Sequence, residues 1–137
     1  MSKHAARRAA VQLVYENILG GEGGDDTLFG LIEYPKDDED IAFVYELFDG
    51  ATNHSLELDG IISEYSPKRE LSRIPVFVRA TLRIALYEIV YHSDTSVSVA
   101  INEAVEIIKR YSEPSEAVFV NGLLGAYSKA CSADGGE

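Results

Sequence analysis

Three histidines, His4, His54 and His92, and the carboxylates Glu57, Asp59 and Glu64 are the side chains that could support acid–base or metal chemistry in this sequence. Their spacing withholds it. No two histidines stand at i, i+4, no His-Glu pair imitates a zinc helix, and no phosphate loop or nucleophile elbow occurs. Glu103 and Glu106 share a helical face with Asn102 and Lys109, the pattern of a solvated surface rather than of a general acid and base. The one cysteine, Cys131, has neither a disulfide partner nor ligand companions. The expectation is a binding or assembly module: not an enzyme, with no catalytic residue, no metal and no cofactor.

Charge offers a different chemistry. The formal net charge is −11, but its distribution is uneven. Residues 22–64 hold one basic and thirteen acidic side chains, whereas Lys3, His4, Arg7 and Arg8, and then Lys68, Arg69, Arg73, Arg79 and Arg83, form two basic islands. Local patches, not the sum, make phosphate contacts, although the acidic remainder weakens steering from a distance. Solvated helix faces would give the same pattern, so charge alone leaves both readings open.

These residues sit on helices. A chain of 137 residues with 46% apolar and 26% charged residues is a soluble globular domain with one core. No apolar run approaches the ~20 residues that span a bilayer, and the N-terminus lacks the apolar region of a secretory signal, which points to the cytoplasm. Val11, Val14, Tyr15, Ile18 and Leu19 keep helical spacing until the glycines from Gly20 onward stop them. A short helix is predicted over residues 27–34. One long amphipathic helix follows from Ile41 to about Tyr65, with Gly50 and Gly60 inside it. The basic link from Lys68 to Pro75 has room for a helical turn, and Pro75 opens a central helix that is apolar on most sides. Ser93 to Ser96 break and recap the chain, residues 97–111 form the next helix, and Ser112 to Ser115 make another break. The last helix runs from Ser115 to about Cys131, followed by a frayed tail.

Asn121–Gly122 is a hairpin signal set among apolar residues. Phe119, Val120, Leu123, Leu124 and Tyr127 nevertheless keep helical spacing through it, so a helix is expected. A glycine inside a helix costs roughly 1 kcal/mol relative to alanine. A neighbouring helix packed close against Gly122, with Asn121 bonding across to a helix end or loop, would offset that.

The run RATLRIALYEIVYHSDTSVSVAINEAVEIIKRY followed by FVNGLL resembles the NusB family of bacterial transcription antitermination factors, a domain also fused to some ribosomal-RNA methyltransferases. Leu82 to Glu88, Val99 to Ala104 and Phe119 to Leu124 carry the likeness, with Ala10, Gln12 and Tyr15 and Glu57–Leu58–Asp59 fitting more loosely. The resemblance covers most of the chain and favours the free-standing factor. It implies an all-α fold of about seven helices in two packed subdomains, residues 1–66 and 67–133, with 134–137 as the tail. It also implies binding of boxA RNA in ribosomal-RNA leaders together with NusE, a small-subunit ribosomal protein, within an RNA polymerase antitermination complex.

Carried over residue by residue, the likeness places RNA contacts at Lys3, His4, Arg7, Arg8 and Tyr15, with Lys68, Arg69, Arg73 and Ser115 as further candidates. Val78, Arg79 and Glu88 become partner contacts, and Asn102, Asn121 and Gly122 structural residues. Three positions depart from the family pattern. Arg8 replaces a common glutamate, Ser115 an aspartate, and Val78 an acidic residue that helps to receive NusE. The alternative is an adaptor or self-assembling paralogue that has lost RNA binding, with Phe77–Val78 as a homodimer contact.

Overall fold

The computed structural model describes residues 2–21 and 39–135, and among these there are helices and turns but no strand. Helix α1 spans Lys3–Ile18, α2 Ile41–Asn53, α3 Ser55–Glu64, α4 Val76–Tyr91, α5 Val97–Tyr111 and α6 Pro114–Gly135, and a 3-10 turn at Leu71–Arg73 precedes α4. The predicted helix over residues 27–34 lies outside the described residues.

Helix α4 is central and packs against all five of the others. Its sequence explains the position: Val78, Leu82 and Leu86 are fully buried, and Ala80 and Ala85 let neighbours approach from other sides. Against it lie Leu13 and Val14 of α1, Leu47 of α2, Leu58 and Ile62 of α3, Ile108 of α5 and Leu124 of α6, in one continuous apolar cluster. Burying each such side chain contributes about 1.5–3 kcal/mol relative to leaving it in water.

The ends of the helices follow local chemistry. Ser2 caps α1, its hydroxyl accepting the Ala5 N–H at 3.0 Å. Gly20, at φ 103°, ends the helix in a conformation that favours glycine. Ser96 caps α5 by accepting from the Val99 N–H at 3.3 Å, as the recapping signal predicts. Pro114 occupies the first position of α6, where its missing N–H costs nothing.

Three expectations need correction. The long helix from Ile41 is two helices, because His54 leaves the helical region at φ −107° and ψ 19°. Asn53, His54 and Ser55 are weak helix formers, and the His54 ring is held by aromatic neighbours described below. Second, α6 reaches Gly135, past Cys131, since nothing before the closing glycines stops it. Third, Gly122 does lie in a helix, but a β-carbon there would meet nothing within 4 Å. The close approach occurs at Gly50 instead, where the Tyr87 ring lies so near that a β-carbon would stand 2.1 Å from it.

Candidate nucleic-acid interface

Helix α1 puts alanines inward and one arginine outward. Ala5, Ala6, Ala9 and Ala10 are buried, which brings the α1 backbone close to α4 and α5. Consecutive helical positions are about 100° apart, so Arg7 and Arg8 cannot face the same way.

Arg7 faces in. Its Nε and Nη2 donate to the two oxygens of Glu88 at 2.8 and 3.0 Å, and Nη1 reaches Glu103 Oε2 at 3.4 Å. Glu88 is 1% exposed and also accepts from the Thr95 hydroxyl at 2.8 Å. His4 Nδ1 meets Glu103 Oε2 at 2.7 Å. Burial works against the Arg7 charge, but the hydrogen bonds and charge of Glu88, then of Glu103, outweigh it and hold the guanidinium pKa above its ordinary value. The network joins α1, α4, α5 and the α4–α5 connection. Arg7 is therefore committed to the core and is not a phosphate contact.

Arg8 faces out. It is half-buried, has no carboxylate partner among the described residues, and lines a pocket of about 160 Å³ between α1, α5 and the start of α4 together with Gln12, Phe77, Ile107 and Tyr111. Two rings line this groove, Phe77 and Tyr111, edge-on to each other at 5.9 Å between centroids, and Tyr15 lies edge-on behind Phe77 at the same distance. Tyr111 is 49% exposed, and the Arg110 guanidinium sits 5.4 Å from its ring centre. A cation without a counter-ion beside an open ring is what a single-stranded nucleic acid requires, a phosphate contact with a stacking surface next to it.

The remaining basic residues divide. Lys3 pairs with Asp40 at 2.8 Å and lies 4.5 Å above the Phe43 ring. Arg69 makes a forked pair with Glu116 at 2.8 and 2.7 Å and stacks on Phe119 at 4.6 Å. The hydrogen bonds from Arg69, only partly opposed by burial, hold the Glu116 carboxyl below its ordinary value. Arg83 makes a similar fork with Asp59 at 2.8 and 2.6 Å. Lys68 and Arg73 are exposed and unpaired among the described residues. Ser115, exposed in the first turn of α6, stands beside Glu116 and across a short break from Tyr111.

The NusB family model matches residues 4–129. The chain belongs to the NusB family. The transcription antitermination protein NusB of Dehalococcoides mccartyi is 35% identical over 130 residues, covering 94% of this chain and 91% of that relative. The solved structure of T. maritima NusB superposes with a TM-score of 0.81 at 28% identity over 94% of this chain and 92% of that one. The crystal structure of antitermination factors NusB and NusE in complex with dsRNA gives a TM-score of 0.80 over 95% of this chain and 99% of that one. At 24% identity, that last likeness speaks for the fold.

Set against the NusB family pattern, the partner residues change most. Val78 is completely buried, so it can neither receive a partner nor join a homodimer contact with the half-buried Phe77. Glu88 belongs to the Arg7 network. Of the three, only Arg79 keeps a partly exposed side chain, with a buried Nε that has no hydrogen-bond partner. Asn102 and Asn121 are exposed, and neither makes a side-chain hydrogen bond among the described residues, so no structural cross-link is seen for either. Tyr111, Arg110 and Gln12 complete the groove without having been singled out as site residues. The signal for the first two was Lys109–Arg110–Tyr111, a basic pair and a ring at a helix end.

Proposed function

We propose that this protein is a transcription antitermination factor that binds boxA RNA of ribosomal-RNA leaders together with NusE, in the cytoplasm and within an RNA polymerase antitermination complex. The observation that carries the RNA part is Arg8, the one arginine of α1 without a counter-ion among the described residues, placed over an aromatic-lined groove. Single-stranded RNA lies along α1 and α5, with Arg8 and Arg110 on phosphates and a base on Tyr111. Lys68 and Arg73 extend the phosphate track, and His4 flanks it at the start of α1, whereas Lys3 is held away from it by Asp40 and Phe43. The antitermination proteins to which the chain is similar support this reading. No described helix is long and apolar enough to cross a membrane.

Fluorescence anisotropy of labelled boxA RNA and of a scrambled RNA, with and without NusE at two salt concentrations, tests it. Binding should prefer boxA, strengthen with NusE, and weaken with salt at a slope near −0.7 per phosphate neutralised. Arg8→Ala should flatten that slope by about 0.7. Tyr111→Ala should remove roughly 1–3 kcal/mol of stacking, about tenfold or more in affinity, with little change in slope. Equal binding of both RNAs, or affinities indifferent to both substitutions, would defeat the assignment.

A further inference from the structure

The end of α4 remote from the groove carries a second set of exposed rings, in surroundings of the opposite charge. Tyr91, the last residue of α4, is 44% exposed and stacks on His54 with ring centroids 4.3 Å apart and planes 17° from parallel. Tyr87, one turn earlier, stacks on Tyr91 at 5.5 Å and packs close against Gly50.

Carboxylates edge this stack, and none of them has a Lys or Arg partner among the described residues. The Tyr91 hydroxyl donates to Glu57 Oε1 at 2.5 Å, and His92 Nδ1 meets Glu46 Oε2 at 2.8 Å. Asp49, one turn from Glu46 on α2, is exposed. The hydrogen bond to Glu57 raises the Tyr91 pKa first of all, while burial and then the charge of Glu46 raise that of Tyr87, so both rings feel the negative surroundings. The nearby Arg83 is consumed by Asp59. The C-terminus of α4 adds negative partial charge at the same place.

Ring faces, carboxylates whose described partners are a tyrosine hydroxyl and the His54 and His92 rings rather than Lys or Arg, and a helix C-terminus all favour a cation and repel a phosphate. The protein already seats one cation on a ring and a carboxylate close by, where the Lys3 ammonium lies 4.5 Å from the Phe43 ring centre and 2.8 Å from Asp40. The geometry points to the Tyr87–Tyr91–His54 face as a docking site for a Lys/Arg-rich segment of a partner protein, with cationic heads on the rings and paired with Glu57 and Glu46. Phe77 and Tyr91 lie near opposite ends of α4, about 20 Å apart at a rise of ~1.5 Å per residue, so this face and the RNA groove can be filled together.

The test is a titration of the isotope-labelled full chain with a fluorescent peptide of repeating Arg, Ser and Lys, read by NMR shifts and by anisotropy at physiological salt. A neutral peptide of the same length serves as reference. Shifts should centre on residues 46–57 and 87–92. The pair Glu46→Gln and Glu57→Gln should weaken binding by about tenfold, as should Tyr91→Ala. The control pair Glu106→Gln and Glu113→Gln should leave it unchanged. Shifts spread over the whole acidic surface, equal weakening by the control pair, displacement of the peptide by RNA at this face, or self-association of the chain through it would each overturn the proposal. The charge variants alter no core packing, so they decide the matter even if Tyr91→Ala folds poorly.

Discussion

Removing Arg7 should unfold the protein before it affects RNA. Arg7→Met leaves Glu88, 1% exposed, with the Thr95 hydroxyl as its remaining partner. Breaking a buried ion pair from one side costs about 3–5 kcal/mol. For a chain of this size each kcal/mol moves Tm by about 3–4 °C, so the midpoint should fall by roughly 10–20 °C. Protonating the stranded carboxylate removes the buried charge, so the variant's deficit should shrink between pH 7 and pH 5. The double variant Arg7→Met with Glu88→Leu replaces both charges by apolar groups and should recover most of the loss. Urea and thermal unfolding followed by circular dichroism give all three numbers, with boxA anisotropy measured well below the midpoint. A single variant that loses less than about 1 kcal/mol, or that melts normally while losing RNA affinity, would refute the inward assignment of Arg7.

Glycine substitutions should split in sign. Gly122→Ala places its methyl in open space within a helix and should stabilise by about 0.5–1 kcal/mol, whereas Gly50→Ala drives into the Tyr87 ring and should cost about 1–3 kcal/mol, both read from urea midpoints. The Glu116 carboxyl is held below its ordinary value by Arg69, so its contribution is present above the unfolded carboxylate range and is lost as pH falls through the depressed folded value. Glu116→Gln should therefore flatten the acid limb of the Tm–pH curve, and an unaltered limb would contradict the pair. Leu86→Ala, at the fully buried centre of α4, should cost about 2–5 kcal/mol in the same urea assay.

What could be read from the sequence was what local pattern encodes. The periodicity of α4 and α5 and the caps at Ser96 and Pro114 are local signals, and the structure follows them. The helix through Asn121–Gly122 was legible because the flanking apolar spacing outweighs a turn dipeptide. The cause of Gly122 was not, because whether a glycine faces a neighbour or open space depends on an element elsewhere in the chain. The break at His54 was hidden for a similar reason, since the rings that hold it come from α4. Arg7 and Arg8 look equivalent as a basic pair, and only the helical phase separates them. A carboxylate at Glu88 inside the apolar run of α4 was the available sign that a buried cation had to come from somewhere. Tyr111 was legible only as the last residue of a helix, because exposure at a helix terminus is set by the neighbouring helices.

The Arg7–Glu88 contact joins residues 81 apart in the chain. At roughly 5–20 residues per second of synthesis, Arg7 joins the chain about 4–16 s before the carboxylate that anchors it. Throughout that interval the alanine face of α1 has no α4 to pack on and its two arginines are equally available. The nascent helix is thus a more basic object than the finished one, and completing α4 withdraws one of the two charges from solution. Pulsed proteolysis of stalled nascent chains should find α1 cleavable until α4 has emerged, then protected.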